Sequence, residues 1–289
     1  MQIEIKERKI FFDGKEKITF DEILHSISVV ENDIVYLSGS LIEGYMNEFS
    51  KGMGNLYSDI DVFVIRDSEK FKMTDSVYET DVNKTFFCDK NGLDIEVFDK
   101  SYVQSLSDVL SKLRVEKGVR VFNILKEKLD RGNDNIFINS FLNRFLYSIC
   151  IYNEKSYQEL QSQINYSNYL KLKQCSLINI IDNLYDDVKG NLFVREADAA
   201  LQIFRMMIMS LLEVVLAKEE IFVDRDKWVA LKFINVTKSK MKYNNIYNMY
   251  MDIFRGDLID NDKCLEKIEY YLPHLEEELE KILLEGLEI

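Results

Sequence analysis

Short apolar runs of strand length, bounded by turn residues, follow one another over the first hundred residues of the chain. They predict small strands around Asp13-Gly14 and further strands at residues 34–37, 58–65, 77–87 and 93–98. Thr19 and Glu22 have the spacing of a capping box, which predicts a helix beginning there. The sequence Cys-Asp-Lys-Asn-Gly at residues 88–92 is typical of a hairpin connection between the last two strands.

From about residue 100 the apolar positions change to helical spacing. Helices are predicted at residues 102–113, 121–129, 136–152, 157–188, 196–217, 227–236 and 264–284. Pro273 lies inside the last of them and predicts a break or a kink. We therefore expect an α+β fold, in which residues 1–100 form a mixed-sheet domain and residues 101–289 form an all-α helical bundle.

Two aspartates interrupt the strand SDIDVFVI, at positions where Val or Thr would be ordinary. Side chains two residues apart in a strand share a face, so Asp59 and Asp61 are expected to point together, away from the intervening apolar residues. Adjacent carboxylates repel unless a cation lies between them, and oxygen donors suit Mg²⁺ or Mn²⁺. Ser58 precedes the pair and could orient Asp59 by a hydrogen bond. A bare D-x-D is more often an exposed strand end, so the assignment depends on its neighbours.

Two neighbouring stretches strengthen the metal hypothesis. Gly39 and Ser40 follow a predicted strand, and backbone amides at such a step can bind phosphate oxygens. The strand LDIEVFD carries Asp94 and Glu96 on one face, so pairing beside SDIDVFVI would add a third acid. Three acids next to a phosphate-binding Gly-Ser step are the parts of two-metal phosphoryl chemistry.

These motifs resemble those of the nucleotidyltransferase superfamily of DNA polymerase β. The resemblance rests on GSLIEG at residues 39–44, SDID at residues 58–61 and the later strand-borne acid. With its helical second half, the chain is closest in layout to kanamycin nucleotidyltransferase-type enzymes, in which the residue at the Glu96 position is the metal ligand and the one at Asp94 is not. The insert at residues 45–57 is longer than in compact members, which leaves a mobile flap and a disordered tip as alternatives.

The resemblance implies a catalytic domain at residues 1–100 that transfers a nucleoside monophosphate to an acceptor hydroxyl and releases pyrophosphate. ATP is the expected donor, and a small molecule such as an aminoglycoside is the expected acceptor. Two Mg²⁺ ions would be held by Asp59, Asp61 and Glu96, with Mn²⁺ as an alternative. Gly39 and Ser40 would bind the β- and γ-phosphates of the nucleotide. A homodimer is also implied.

In the aminoglycoside enzymes a glutamate of the helical domain is the general base. Glu154, Glu196 and Asp198 are candidates here, and we assign none of them, because acids at helix ends are mostly solvated. Two other readings stay open. One is nucleotidylation of a protein or a tRNA end, and the other is an inactive, nucleotide-binding regulatory module.

Composition narrows the choice of partners and compartment. The net charge of −13 argues against a nucleic-acid partner, because nucleic-acid binding domains carry basic surfaces. The widely spaced cysteines signal neither a zinc site nor a disulfide framework. The start of the chain is charged and has no leader pattern, and the most apolar stretch, residues 206–212, is too short to span a bilayer. A cytoplasmic protein without a membrane partner is the expectation.

Overall fold

The computed structural model describes residues 3–55, 57–67, 78–88, 92–115 and 134–284, together with residues 125, 128, 129 and 131. The fold is α+β, as predicted, with a mixed main sheet and a second part of the chain that is helical. Contacts divide the chain into two compact units. The first comprises Met1–Arg114 and Asn123–Asn168, and the second comprises Val115–Phe122 and Tyr169–Ile289. The predicted functional boundary at residue 100 stays a prediction.

A small antiparallel sheet opens the first unit. Its strands are β1 (Ile3–Lys6), β2 (Lys9–Phe12) and β3 (Lys15–Thr19). Asp13 and Gly14 join the last two with φ angles of 48° and 77°, so the predicted turn is confirmed. Helix α1 (Phe20–Ser26) begins with the predicted capping box, in which the Glu22 N–H donates to Thr19 Oγ1 over 3.2 Å.

The main sheet has six strands in the order β6-β7-β8-β5-β4-β9. These are β4 (Ile34–Ser38), β5 (Ile60–Arg66), β6 (Tyr78–Glu79), β7 (Asn83–Cys88), β8 (Leu93–Asp99) and β9 (Ile149–Tyr152). Only β5 and β8 pair in parallel among these described strands. The antiparallel pairing of β7 with β8 confirms the predicted hairpin, whose connecting residues 89–91 lie outside the described residues.

The two faces of the main sheet differ in chemistry. One face joins α1 and α2 (Gly39–Met46) in an aliphatic core, and this face carries Ile60, Val62 and Val64, as the alternation predicted. On the other face, aromatic rings from β4 and β8 pack against rings from α4 (Asn135–Leu146), and the Phe63 ring of β5 stacks on both of these strands' rings. Tyr36 stacks on Phe63 with ring centroids 5.2 Å apart. The acids of β5 and β8 belong to this second face.

The other helices of the first unit are α3 (Lys100–Lys112) and α5 (Glu154–Gln163). The prediction of one helix over residues 136–152 was wrong, because α4 ends at Leu146 and Ile149–Tyr152 is the edge strand β9, paired with β4. A near-continuous apolar run does not distinguish a helix from a short strand. The helix predicted at residues 121–129 falls largely outside the described residues.

Helices make up the second part of the chain. They are α6 (Tyr166–Phe193), α7 (Ala197–Lys218), α8 (Val229–Ser239), α9 (Asn244–Arg255) and α10 (Asn261–Leu284). The helix predicted at residues 157–188 is in fact divided between α5 and α6, and α9 was missed. The break predicted at Pro273 is absent, since α10 continues through it with Leu272 and Leu275 buried on either side.

Helix α7 is the one helix among the described residues that is long and apolar enough to cross a bilayer. This property rests on length and composition alone, and 56% of the apolar 18-residue stretch of the helix is buried inside the structure. Core helices of soluble proteins pass the same test, so this property assigns no location.

Candidate nucleotide and metal site

The site begins where strand β4 gives way to helix α2. Gly39, the first residue of α2, has a φ of 81°, and a Cβ atom built on it would lie only 1.8 Å from Oδ2 of Asp61. A side chain at position 39 would therefore collide with the carboxylate, besides being strained at this φ. Glycine allows the Asp61 carboxylate to pack directly against the backbone that begins α2. The structure thus brings Gly39 and Asp61, which the sequence singled out separately, into contact.

The N-terminus of α2 gives this contact its electrostatic character. The N–H groups of a first helical turn have no partner within their own helix, and the helix dipole makes that end partly positive. Ser40 lies half-buried in this turn, next to Gly39. The preceding residue, Ser38, makes no capping bond, and its hydroxyl instead donates to the Tyr147 carbonyl over 2.8 Å. Such a terminus can bind a phosphate group.

Strand register decides which acids are neighbours of Asp61. On one side Asp61 pairs with Ser38 of β4, and on the other side with Asp94 of β8. Neighbouring strands are about 4.8 Å apart, so Asp61 and Asp94 are close on one face. Glu96 pairs with Phe63 instead, one step further along the same face. Asp59 precedes the first residue of β5 and is exposed.

Glu96 has a basic partner. Arg144 of α4 donates from Nη1 to Oε1 of Glu96 over 2.6 Å, and its side chain is only 8% exposed. Its guanidinium also lies 5.3 Å from the centroid of the Phe63 ring. Sequence reasoning missed Arg144, because nothing near it in the chain indicates that α4 packs over β8. As a result, one carboxylate oxygen of Glu96, the predicted third metal ligand, already accepts a hydrogen bond from the Arg144 guanidinium.

The environment of these charges is largely apolar. Burial raises the pKa of the Tyr36 phenol well above its ordinary value of 10, and the nearby charge of Glu96 raises it further. Tyr36 is therefore a neutral phenol at any physiological pH. It belongs to the same face of the sheet as Asp61 and Glu96, on the strand that leads into Gly39.

The donor set fits Mg²⁺ or Mn²⁺ only in part. Among the described residues, no group of three His, Cys, Asp or Glu side chains is placed to hold a metal ion. Magnesium commonly takes one or two protein carboxylates and completes its shell with water and substrate phosphates. That Asp59 and Asp61 form a site of that kind, shared with a nucleotide, stays a prediction. A three-acid site that includes Glu96 stays a prediction.

Ser58 belongs to a tight turn before these acids. Its Oγ accepts the Asn55 N–H over 3.0 Å, and its own N–H donates to the Asn55 carbonyl over 3.0 Å. This hydroxyl therefore shapes the backbone that leads to Asp59, and its direct bond to Asp59 remains a prediction.

Most of the insert before that turn packs on α2. Ser50 and Met53 are buried, and a Cβ atom on Gly44 would lie 2.7 Å from the Met53 carbonyl oxygen. Glu43 of α2, itself buried, accepts hydrogen bonds from Ser50 over 2.7 Å and from Asn143 of α4 over 3.1 Å. Buried Ser50 and Met53 thus hold part of residues 45–55 against α2, and the mobile flap and the disordered tip both stay predictions.

The candidate general bases lie at helix starts, and all three are exposed. Glu154 is the first residue of α5, whereas it was predicted to follow a longer helix, and it accepts a hydrogen bond from Gln158 over 3.0 Å. Glu196 and Asp198 stand at the beginning of α7 in the second unit. We assign none of them.

Comparisons with known proteins add the following. No protein-family model matches the sequence. No curated protein is significantly similar to it. A solved structure of a nucleotidyltransferase-like protein from Exiguobacterium sibiricum 255-15 is similar to the chain, with a TM-score of 0.48 and 10% sequence identity, over 92% of this chain and 75% of that chain. A similarity of this extent carries no argument for function.

Proposed function

We propose that the chain is a magnesium-dependent nucleotidyltransferase, which moves AMP from ATP to a hydroxyl of a small-molecule acceptor and releases pyrophosphate. The observation that carries the proposal is the contact between Gly39 and Asp61. It joins the N-terminus of α2, which suits phosphate, to a carboxylate strand, which suits a divalent cation. A nucleoside triphosphate bound to Mg²⁺ needs both partners side by side.

Each predicted residue has a role in this proposal. Asp59 and Asp61 would hold Mg²⁺, with Glu96 as a third acid oriented by Arg144. The amides at Gly39 and Ser40 would bind the β- and γ-phosphates, the part that leaves as pyrophosphate. When bound, the ion would neutralise charge on the transferring phosphate and align attack with departure.

A small-molecule acceptor is favoured over a tRNA end. The net charge of −13 repels a polyphosphate backbone, whereas it attracts a cationic small molecule. An aminoglycoside is an acceptor of that chemistry, and the sequence motifs that resemble kanamycin nucleotidyltransferase-type enzymes point the same way.

The proposal is tested by pyrophosphate release from ATP and Mg²⁺ with candidate acceptors, and mass spectrometry identifies the product. D59N and D61N keep the size of the side chain and remove its charge. Loss of a direct metal ligand should exceed the roughly 10- to 100-fold loss typical of outer-shell partners. Retention of pyrophosphate release by D61N would remove the metal assignment.

The ion pair between Glu96 and Arg144 favours one second candidate, a nucleotide-binding regulatory module without catalysis. An acid neutralised by a nearly buried arginine is less available to an activating metal. This module would bind Mg²⁺ and ATP through Asp61 and Gly39 but would release no pyrophosphate with any acceptor. Binding without turnover would select it.

A further inference from the structure

We propose that Tyr57 is a stacking platform for the nucleobase of the bound nucleotide; this inference rests on the proposed function. Tyr57 is 96% exposed, more than any other large hydrophobic side chain in the described part of the chain. Single exposed aromatic residues are common on protein surfaces. Tyr57 differs in the hydrogen bonds around its backbone, in the packing of nearby Gly54 on α2 and in its closeness in the chain to Asp59.

The backbone around Tyr57 is held by three hydrogen bonds. The Tyr57 N–H donates to Oδ1 of Asn55 over 2.8 Å, and two bonds of 3.0 Å join Asn55 to Ser58. A tyrosine on a fixed backbone has only two side-chain torsions to order on binding. Its ring can therefore contact a ligand at a low entropic cost.

The turn is anchored beside the phosphate end of α2. Gly54 has a φ of 72°, and a Cβ atom built on it would lie 3.1 Å from both the N and the Cα of Leu41. Leu41 is two residues after Gly39 in the first turn of the helix. Met53 is buried at the same place, so the backbone before Tyr57 is packed against the helix. Tyr57 follows this anchored segment by three residues in the chain.

The distance to the acids suits a nucleotide. Tyr57 and Asp59 are two residues apart, so their Cα atoms are no more than about 7 Å apart. A nucleotide whose α-phosphate lies at Asp59 and Asp61 has its base one sugar away. The base is the flat apolar part of that ligand and stacks well on an aromatic ring. Stacking needs no particular base edge, so the ring would accept ATP and GTP alike.

Calorimetry with two probes tests the inference. The probes are a non-hydrolysable ATP analogue and inorganic tripolyphosphate, each with Mg²⁺, and the second has no base. Removal of a stacking ring should weaken binding of the analogue to Y57A about tenfold. Tripolyphosphate should bind Y57A as it binds the wild type. Y57F keeps the ring and should bind the analogue as the wild type does. Y78A removes another exposed tyrosine, on β6, and should change neither affinity.

Two outcomes would overturn the inference alone. Equal binding of the analogue to Y57A and wild type would show that the ring is not used. An equal loss of tripolyphosphate binding by Y57A would show that the substitution disturbs the phosphate end instead. If the wild type binds neither probe, the proposed function itself fails, and the stacking role fails with it.

Discussion

The two ends of strand β5 carry charge in opposite ways. At its last residue, Arg66 forms an ion pair of 2.7 Å with Asp33, and their side chains are only 5% and 1% exposed. Arg66 also donates to the Ser28 carbonyl over 3.4 Å. At the first residues of the strand, Asp61 stands next to Asp94 in the neighbouring strand, and exposed Asp59 precedes it.

The difference separates stability from binding. A buried charge must be paired within the fold, and Arg66 and Asp33 satisfy one another. The acids at the other end are all negatively charged and lie at an edge of the sheet that solvent reaches. A divalent cation that carries a nucleotide's phosphates can bind to such acids. The charges at one end of β5 thus neutralise one another within the fold, whereas the acids at the other end are those proposed to bind a ligand.

Removal of Arg66 should have the largest effect on stability. R66M leaves Asp33 as a buried charge without its ion-pair partner, and the free energy of unfolding should fall by about 3–5 kcal/mol. Urea denaturation measures this loss. The double variant D33L/R66M should recover much of it, since it removes both charges.

D61N is the matched change at the other end of β5. It should alter the free energy of unfolding by less than about 1 kcal/mol, since Asn keeps the size of the side chain at a half-buried position. A loss for D61N as large as that for R66M would break the distinction between the two ends.

Substitution of Gly39 tests the contact that defines the binding end. In G39A the new Cβ must displace the Asp61 carboxylate, and alanine at a φ of 81° is strained by about 1–3 kcal/mol. Magnesium-dependent nucleotide affinity should fall about tenfold or more. G14A is the control, because Gly14 has a φ of 77° and nothing within 4 Å of its Cβ position. It should be strained similarly and bind nucleotide normally; equal affinities for G39A and G14A would refute the contact's role.

The third acid can be assigned by a comparison of E96Q with D94N. With Glu96 as a direct metal ligand, E96Q should lower pyrophosphate release by more than about 100-fold and raise the Mg²⁺ concentration needed, and D94N should do much less. The measurement is the Mg²⁺ dependence of pyrophosphate release in both variants. The opposite order would assign the role to Asp94, which the strand register places beside Asp61.

A paired carboxylate in the helical unit extends the comparison, with the smallest expected effect. Burial alone would raise the pKa of Glu219, but hydrogen bonds from Lys240 and Tyr243 bring it below its ordinary value of 4.5. A lowered pKa stabilises the fold above the pKa of the unfolded chain, and this stabilisation is lost as the pH falls through the folded value. E219Q should therefore flatten the loss of thermal stability below about pH 4.5. An unchanged slope in E219Q would contradict this account of Glu219.

The sequence was most informative where alternation and turn residues coincide. The strands that carry Asp61 and Glu96 could be predicted, because apolar residues alternate with acids and glycines or serines bound each run. Strand β9 could not, because the run Ile149–Tyr152 is as apolar as the helix before it. Pro273 does not end α10, because packing of the helix outweighs the local preference of proline, and the predicted kink stays a prediction.

The long-range contacts of the site were beyond the sequence. The contact of Asp61 with Gly39 depends on the backbone angle at Gly39, and the ion pair of Arg144 with Glu96 joins residues 48 positions apart. The spacing of motifs in the sequence predicts neither of these two contacts. These two contacts link residues that lie far apart in the sequence, and their part in one site stays a prediction.

The central claim, that the acid end of β5 binds a nucleotide through a divalent cation, is tested most directly by calorimetry. A non-hydrolysable ATP analogue is titrated into wild type and D61N, with Mg²⁺ and with EDTA in its place. Our account predicts binding to the wild type that depends on Mg²⁺ and is lost in D61N, while R66M, where it remains folded, keeps it. Binding that is equal with and without Mg²⁺, or equal in D61N and wild type, would contradict the claim.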